Sequence, residues 1–78
     1  MNYFEEHSRG LKLPLITIYN KPSDYPTQFV ARLWDTDKAT DFFVLADTLE
    51  LLRKSIPHHM VKIPRSYDDE PCICEVYI

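Results

Sequence analysis

Histidines and carboxylates toward the C-terminal end are the side chains that could together hold a metal ion. His58 and His59 are adjacent, and Asp68, Asp69 and Glu70 follow nine residues later. Neighbouring side chains on an extended chain point to opposite sides, so at most one of the two histidines would join a given site. The spacing matches neither structural zinc sites nor calcium-binding loops. We interpret these residues as a solvated loop and expect no metal and no other cofactor.

Two cysteines, Cys72 and Cys74, are separated by one residue. Side chains at this spacing in a strand point the same way, and a disulfide between them would close a very small loop. Their alternation with Val76 and Ile78 predicts that both are buried, reduced thiols facing the core. Two reduced cysteines fit a reducing compartment, so we expect a cytoplasmic protein.

Catalytic residues are not evident from the sequence. A cysteine nucleophile would need a lowered pKa and a base that only the fold could bring close. Asp35, Asp37 and Asp41 stand near predicted strand ends, where turn residues are common. A chain whose only glycine is Gly10 cannot form a glycine-rich phosphate loop. We therefore expect a protein that is not an enzyme, with a small hydrolase as a distant alternative.

An arginine and a tryptophan on one predicted strand are the more informative pair. Arg32 and Trp34 share a strand face with Val30, and the residues between them form the opposite face. Trp, Tyr and Arg are enriched where binding energy concentrates in protein interfaces. If a helix covers the opposite face, these side chains lie on an uncovered one. The predicted interaction face consists of Val30, Arg32, Trp34, Phe42, Ile73 and Tyr77.

The N-terminal stretch offers a second possibility for that face. Residues 1–9 are largely polar and could form a frayed helical turn. Tyr3 and Phe4 within this stretch could fold across the face and close it internally. The sequence leaves both possibilities open.

The elements that would position these residues are strands and one short helix. Strand-forming and turn residues predict strands at residues 11–19, 27–34, 41–46 and 72–78, with a very short one at 60–63. The apolar run at 41–46 fits a central strand. The predicted fold is therefore α+β: an antiparallel or mixed sheet of three to five strands, in the order β-β-β-α-(β)-β, with one short helix on one face.

The helix is predicted at residues 47–56. Asp47 and Glu50 have the spacing of a capping box, which predicts Asp47 as the cap, and Pro57 ends the helix. A stripe of apolar residues at helical spacing should face the core: Leu49, Leu52 and Ile56.

Length and charge restrict the class of protein. A chain of 78 residues, 45% hydrophobic and 27% charged, predicts one folded domain spanning residues 1–78. The N-terminus does not resemble a signal peptide, and no apolar run is long enough to cross a membrane. The net charge of −3, without a basic stripe, does not favour nucleic-acid binding.

Several segments resemble small uncharacterised bacterial and phage-borne proteins: residues 25–35, 47–50 and 63–65. The layout, with residues 47–50 opening the helix, is also similar to HicB-like antitoxin domains. That resemblance implies binding and neutralisation of a small toxin ribonuclease. The Pro-Gly pair usual between the strands of those domains is missing here, as is a DNA-binding helix-turn-helix or ribbon-helix segment. The resemblance thus implies partner binding without autoregulation.

The sequence as a whole predicts a protein-interaction module. Its partner would be a second copy, as in a homodimer, or another protein that it inhibits or regulates. The principal alternative is a single-stranded nucleic-acid binder whose sheet presents aromatic rings from Tyr19, Trp34 and Tyr77 beside Arg32.

Overall fold

The computed structural model describes residues 3–63 and 72–78. These residues form a five-stranded antiparallel sheet and two short helices, which confirms the predicted α+β class. The elements are α1 (Tyr3–Ser8), β1 (Pro14–Asn20), β2 (Phe29–Asp35), β3 (Lys38–Ala46), α2 (Leu49–Arg53), β4 (Lys62–Ile63) and β5 (Ile73–Tyr77). The predicted loop with Asp68, Asp69 and Glu70 lies outside the described residues.

The strand order across the sheet is β3-β2-β1-β5-β4, with every neighbouring pair antiparallel. β1 therefore lies in the middle, and β3 lies at one edge. The prediction that residues 41–46 form a central strand is wrong. A continuous apolar run indicates that both faces of a strand are covered, and it does not tell whether both edges are paired.

Both helices pack on the same face of the sheet, which we call the helix face. The fully buried side chains of α1 and α2, Phe4 and Leu52, belong to one core cluster with residues of β1 and β2. The buried members of that cluster are Phe4, Ile16, Ile18, Ala31, Leu33, Leu52 and Ile56. The N-terminal segment thus adds a second helix to the core.

The opposite side of the sheet, the second face, follows from the strand register. Residues directly opposite each other on paired strands point to the same face. The pairs Leu15–Trp34, Thr17–Arg32 and Tyr19–Val30 join β1 to β2, and Arg32–Phe43 and Val30–Leu45 join β2 to β3. The second face of these three strands therefore includes Leu15, Thr17, Tyr19, Val30, Arg32, Trp34, Phe43 and Leu45.

α2 is shorter than predicted and begins at a different cap. The Oγ1 atom of Thr48, at the N-cap, accepts a hydrogen bond from the backbone N–H of Leu51 at 3.3 Å. Asp47 is exposed, and its Oδ1 atom accepts a 3.5 Å hydrogen bond from Gln28 Nε2. The prediction that Asp47 caps the helix is therefore wrong by one residue.

The predicted apolar stripe of α2 is confirmed in spite of this shift. Leu52 and Ile56 are buried in the core, and Leu49 packs against it. After Arg53 the chain continues as a tight turn, in which the N–H groups of Ser55 and Ile56 donate to carbonyls three residues earlier. This turn keeps Ile56 on the core side before Pro57.

Replacing Thr48 with alanine is expected to lower the free energy of unfolding by about 1 kcal/mol, because the first turn of α2 loses its side-chain acceptor. Asp47→Ala, which leaves that acceptor in place, is the matched control and should cost less. Urea denaturation of both variants measures the difference. A larger cost for Asp47→Ala would contradict the cap assignment.

Candidate functional site

The structure brings four of the six predicted interaction residues to the second face. Val30, Arg32 and Trp34 alternate along β2 as predicted. Ile73 joins them through its pairing with Tyr19. The other two, Phe42 and Tyr77, are placed on the helix face.

Phe42 faces the helices because of the register between β2 and β3. Ala31, a core residue, pairs with Val44, which fixes Val44 and Phe42 on the helix face. The Phe42 ring stacks on His7 of α1 with ring centroids 4.1 Å apart. Phe42 is therefore part of the packing that anchors α1, and its neighbour Phe43 takes the place on the second face.

Tyr77 faces the helices because β5 carries a bulge. Ile16 pairs with Tyr77 and Ile18 pairs with Glu75, whereas the next residue of β1 pairs with Ile73. One step along β1 thus corresponds to two along β5, which leaves Cys74 as the extra residue of the bulge. Strict alternation through β5, on which the prediction for Tyr77 depended, is broken at this point.

The two cysteines have different surroundings. Cys74 packs against the core cluster, whereas Cys72 lines the second face, and both are half-buried. Both carry thiols and no disulfide. The prediction that the two side chains are buried together on the core side is therefore wrong.

A cavity of about 420 Å³ lies on the second face. The loop between β1 and β2 forms one wall, and the sheet forms the floor together with Cys72. In the described part of the chain, the lining residues are Tyr19, Pro22, Ser23, Asp24, Tyr25, Val30, Arg32, Trp34, Ala39 and Cys72. Val30 at its floor is only 3% exposed. The second face is thus a walled pocket at this place and not a flat open surface.

The loop that walls the cavity is tied to itself and to the sheet. The N–H of Tyr25 donates to the carbonyl of Pro22 at 2.9 Å, and the N–H of Gln28 donates to the carbonyl of Tyr25 at 3.2 Å. The Tyr25 ring lies 6.1 Å from that of Phe43, between centroids. These contacts hold the loop over the second face.

Arg32 is the cationic residue among the described lining residues, and two contacts hold its side chain in place. Its Nη1 atom donates to the carbonyl oxygen of Thr40 at 3.0 Å, and its guanidinium carbon lies 5.1 Å from the centroid of the Phe43 ring. Among residues 3–63 and 72–78 no carboxylate forms an ion pair with it. The cation is thus oriented by a carbonyl and a ring, without a neutralising partner in this part of the chain.

Trp34 carries a donor without an acceptor. Its Nε1 atom is buried and has no hydrogen-bond partner in the described part of the chain. A buried donor left unpaired costs about 1 to 3 kcal/mol. Trp34 therefore carries an unsatisfied buried donor on the same face of β2 as Arg32.

The helix face carries a cluster of charges that the sequence did not predict. Glu75, 5% exposed, accepts hydrogen bonds from Arg53 at 2.6 and 3.2 Å and from the Tyr77 hydroxyl at 2.8 Å. Lys62 Nζ lies 3.2 Å from the same carboxylate. The Arg53 hydrogen bonds are the largest cause that lowers the pKa of Glu75 to about 2. Burial and the Glu75 carboxylate raise the pKa of Tyr77. This cluster connects α2 to β4 and β5.

Other polar residues singled out in the sequence lie outside the cavity. Asp35 Oδ1 accepts hydrogen bonds from the N–H groups of Lys12 and Leu13 at 3.1 and 3.0 Å, which fixes the chain ahead of β1. His58 and His59 are exposed. Within the described residues, no three His, Cys, Asp or Glu side chains are close enough to hold a metal ion.

Comparisons with known proteins give no match to a family model, to a curated protein or to a solved structure. No helix in the described ranges has both the length and the apolar character to cross a membrane. The described residues show a small α+β fold with an antiparallel sheet, two helices on one face and a cavity on the other.

Proposed function

We propose that this protein is a non-enzymatic interaction module that binds a protein partner through the outer edge of β3 and the adjoining second face. The observation that carries the proposal is the apolar run at residues 42–46, which lies in an edge strand. No described strand pairs with its outer edge. An edge strand presents unpaired N–H and C=O groups that another chain can use to extend the sheet.

The distribution of charge along β3 supports this use of the edge. Edge strands are commonly protected from pairing by charges and bulges. In β3 the charged residues are Lys38 and Asp41, and the pairing irregularity also falls in this first half, opposite Leu33. Residues 42–46 have no such protection. The side chains of Phe43 and Leu45 point to the second face, so the apolar surface of the β3 edge continues there.

A second copy of the chain is the partner that we favour. Two β3 strands related by a two-fold axis would pair antiparallel, and each would satisfy the outer edge of the other. A regulated protein, as in an inhibitor or antitoxin-like role, would take the place of the second copy at the same edge. This sharper role is supported by the resemblance of the sequence to HicB-like antitoxin domains.

Leu45→Lys is expected to convert a concentration-dependent dimer to a monomer, because it places a charge where the edge and the second face meet. Trp34→Glu should weaken the dimer as well. Leu51→Lys is the matched control: Leu51 is 50% exposed on α2, so the same substitution there should leave the mass unchanged. Static light scattering across a dilution series, with circular dichroism as the check on folding, measures these masses.

A wild-type monomer at every concentration would contradict self-association. The regulator role would then require a protein that co-purifies with wild type and with Leu51→Lys but is lost with Leu45→Lys. If wild type, Leu51→Lys and Leu45→Lys all retained the same co-purifying proteins, the proposed surface would be wrong.

Single-stranded nucleic acid remains the second candidate, since Tyr19, Arg32 and Trp34 all line the cavity. Stacking of bases on such rings is a common mode of single-strand recognition. The third ring predicted for this role, Tyr77, lies on the helix face. Binding of a labelled oligonucleotide that weakens steeply with salt would favour this candidate over a protein partner.

A further inference from the structure

We infer that the cavity on the second face is a binding site for a small organic carboxylate that carries a flat apolar ring. This inference goes beyond the proposed protein interaction. The cavity lies beneath the loop between β1 and β2, and its lining does not include the apolar residues 42–46 of the β3 edge.

The size of the cavity and its lining favour a small ring-bearing molecule. A volume of about 420 Å³ is in the range of small-molecule sites. Among the described lining residues, three are aromatic: Tyr19 and Trp34 from the sheet and Tyr25 from the loop. Aromatic rings prefer offset-stacked or edge-to-face contact with another ring. Val30 at the floor adds a buried apolar surface.

The charge of the ligand follows from Arg32. This half-buried guanidinium has one N–H on the Thr40 carbonyl and one face on the Phe43 ring, and it has no carboxylate partner in the described residues. A guanidinium has five N–H donors in a planar fork that matches a carboxylate.

Asp24, the acidic residue among the described lining residues, does not neutralise Arg32. Asp24 is exposed on the loop and forms no ion pair with Arg32. A solvated carboxylate at the rim contributes little to binding inside a walled cavity, because water and salt screen it. A complementary ligand therefore brings its own carboxylate to Arg32 and its ring to the aromatic wall.

Titration with phenylacetate, followed by the fluorescence of Trp34, tests the inference. Trp34 is the one tryptophan of the chain, so the signal reports this cavity. Phenylacetamide has the same ring and no charge, and it is expected to bind at least about tenfold more weakly. Arg32→Met should lower the affinity for phenylacetate by a similar factor. Lys12→Met removes the same charge from an exposed site outside the cavity and should retain the affinity.

The comparison of the two compounds and one further variant keep the test decisive. If Arg32→Met does not fold, the comparison of the two compounds on wild type carries the test, and phenylacetate must bind at least about tenfold more tightly than phenylacetamide. Equal binding of phenylacetate and phenylacetamide, or no saturable change up to about 10 mM, would overturn the inference. Leu45→Lys should bind phenylacetate like wild type, so failure of this site and failure of the proposed β3 interface can be told apart.

Discussion

Leu52→Ala is expected to lower the free energy of unfolding by about 2 to 5 kcal/mol, the range found when a buried leucine is truncated. Leu52 is 0% exposed and lies in the core cluster with Phe4 and the central strands. α2 has five residues, too few for a helix to be stable alone, so its position depends on this contact. Urea denaturation followed by far-ultraviolet circular dichroism measures the loss.

The neighbouring leucine provides the control. Leu51 belongs to the same helix but is 50% exposed. Leu51→Ala removes the same atoms from the surface, so its effect should stay within about 0.5 kcal/mol. Equal costs for the two substitutions would mean that the orientation of α2 on the sheet is wrong. A small domain has a total stability of only about 5 to 15 kcal/mol, so loss of Leu52 can leave a substantial unfolded population.

The periodicity of the sequence was sufficient to predict the strands, the helix α2 and the two faces of β2, whereas α1 was given only as a possible frayed turn. β2 lies between two antiparallel strands, and its alternation continues without a bulge of its own. Residues 29, 31 and 33 therefore face the helices as predicted, and Val30, Arg32 and Trp34 face away. The stripe of α2 was predictable for a similar reason, because Leu52 and Ile56 share one side at helical spacing.

For the other strands, the sequence was not sufficient to predict which residues face the core. Alternation within a strand shows that two sets of residues point to opposite faces, but only the register with a neighbour shows which set faces the core. In β3 the core-facing set contains Phe42, and in β5 a bulge at Cys74 moves Tyr77 to the helix face. In each of these strands both sets of residues are apolar enough to face the core. Composition therefore did not indicate which set does so.

The cavity and the charge cluster depend on contacts between residues distant in sequence. Arg53 and Glu75 are 22 residues apart, and Cys72 lines the same cavity as Trp34. Local patterns carry no information about such pairs. One signal was present, since Glu75 is a charged residue within an apolar strand, and charged residues that become buried are usually paired.

Glu75→Gln is expected to remove a contribution to the free energy of unfolding that is present at neutral pH and lost in acid. Hydrogen bonds from Arg53 lower the pKa of Glu75 from the ordinary 4.5 to about 2 in the folded protein. A carboxyl group with a lowered pKa stabilises the fold above its unfolded pKa, and that contribution is lost as the pH falls through the folded value. The contribution is therefore complete above about pH 5 and disappears toward pH 2.

The size of this effect is at most about 3 kcal/mol, and exposure of Arg53 and Lys62 to water and salt reduces it. Urea denaturation between pH 2 and 7 should give a wild-type stability that exceeds that of Glu75→Gln at neutral pH and converges with it at the acidic end. The other carboxylates are common to both proteins and cancel in the difference. Glu6→Gln, at an exposed position of α1, is the control and should show a much smaller dependence on pH. A difference between wild type and Glu75→Gln that stayed constant across this range would show that the Arg53–Glu75 pair does not form in solution.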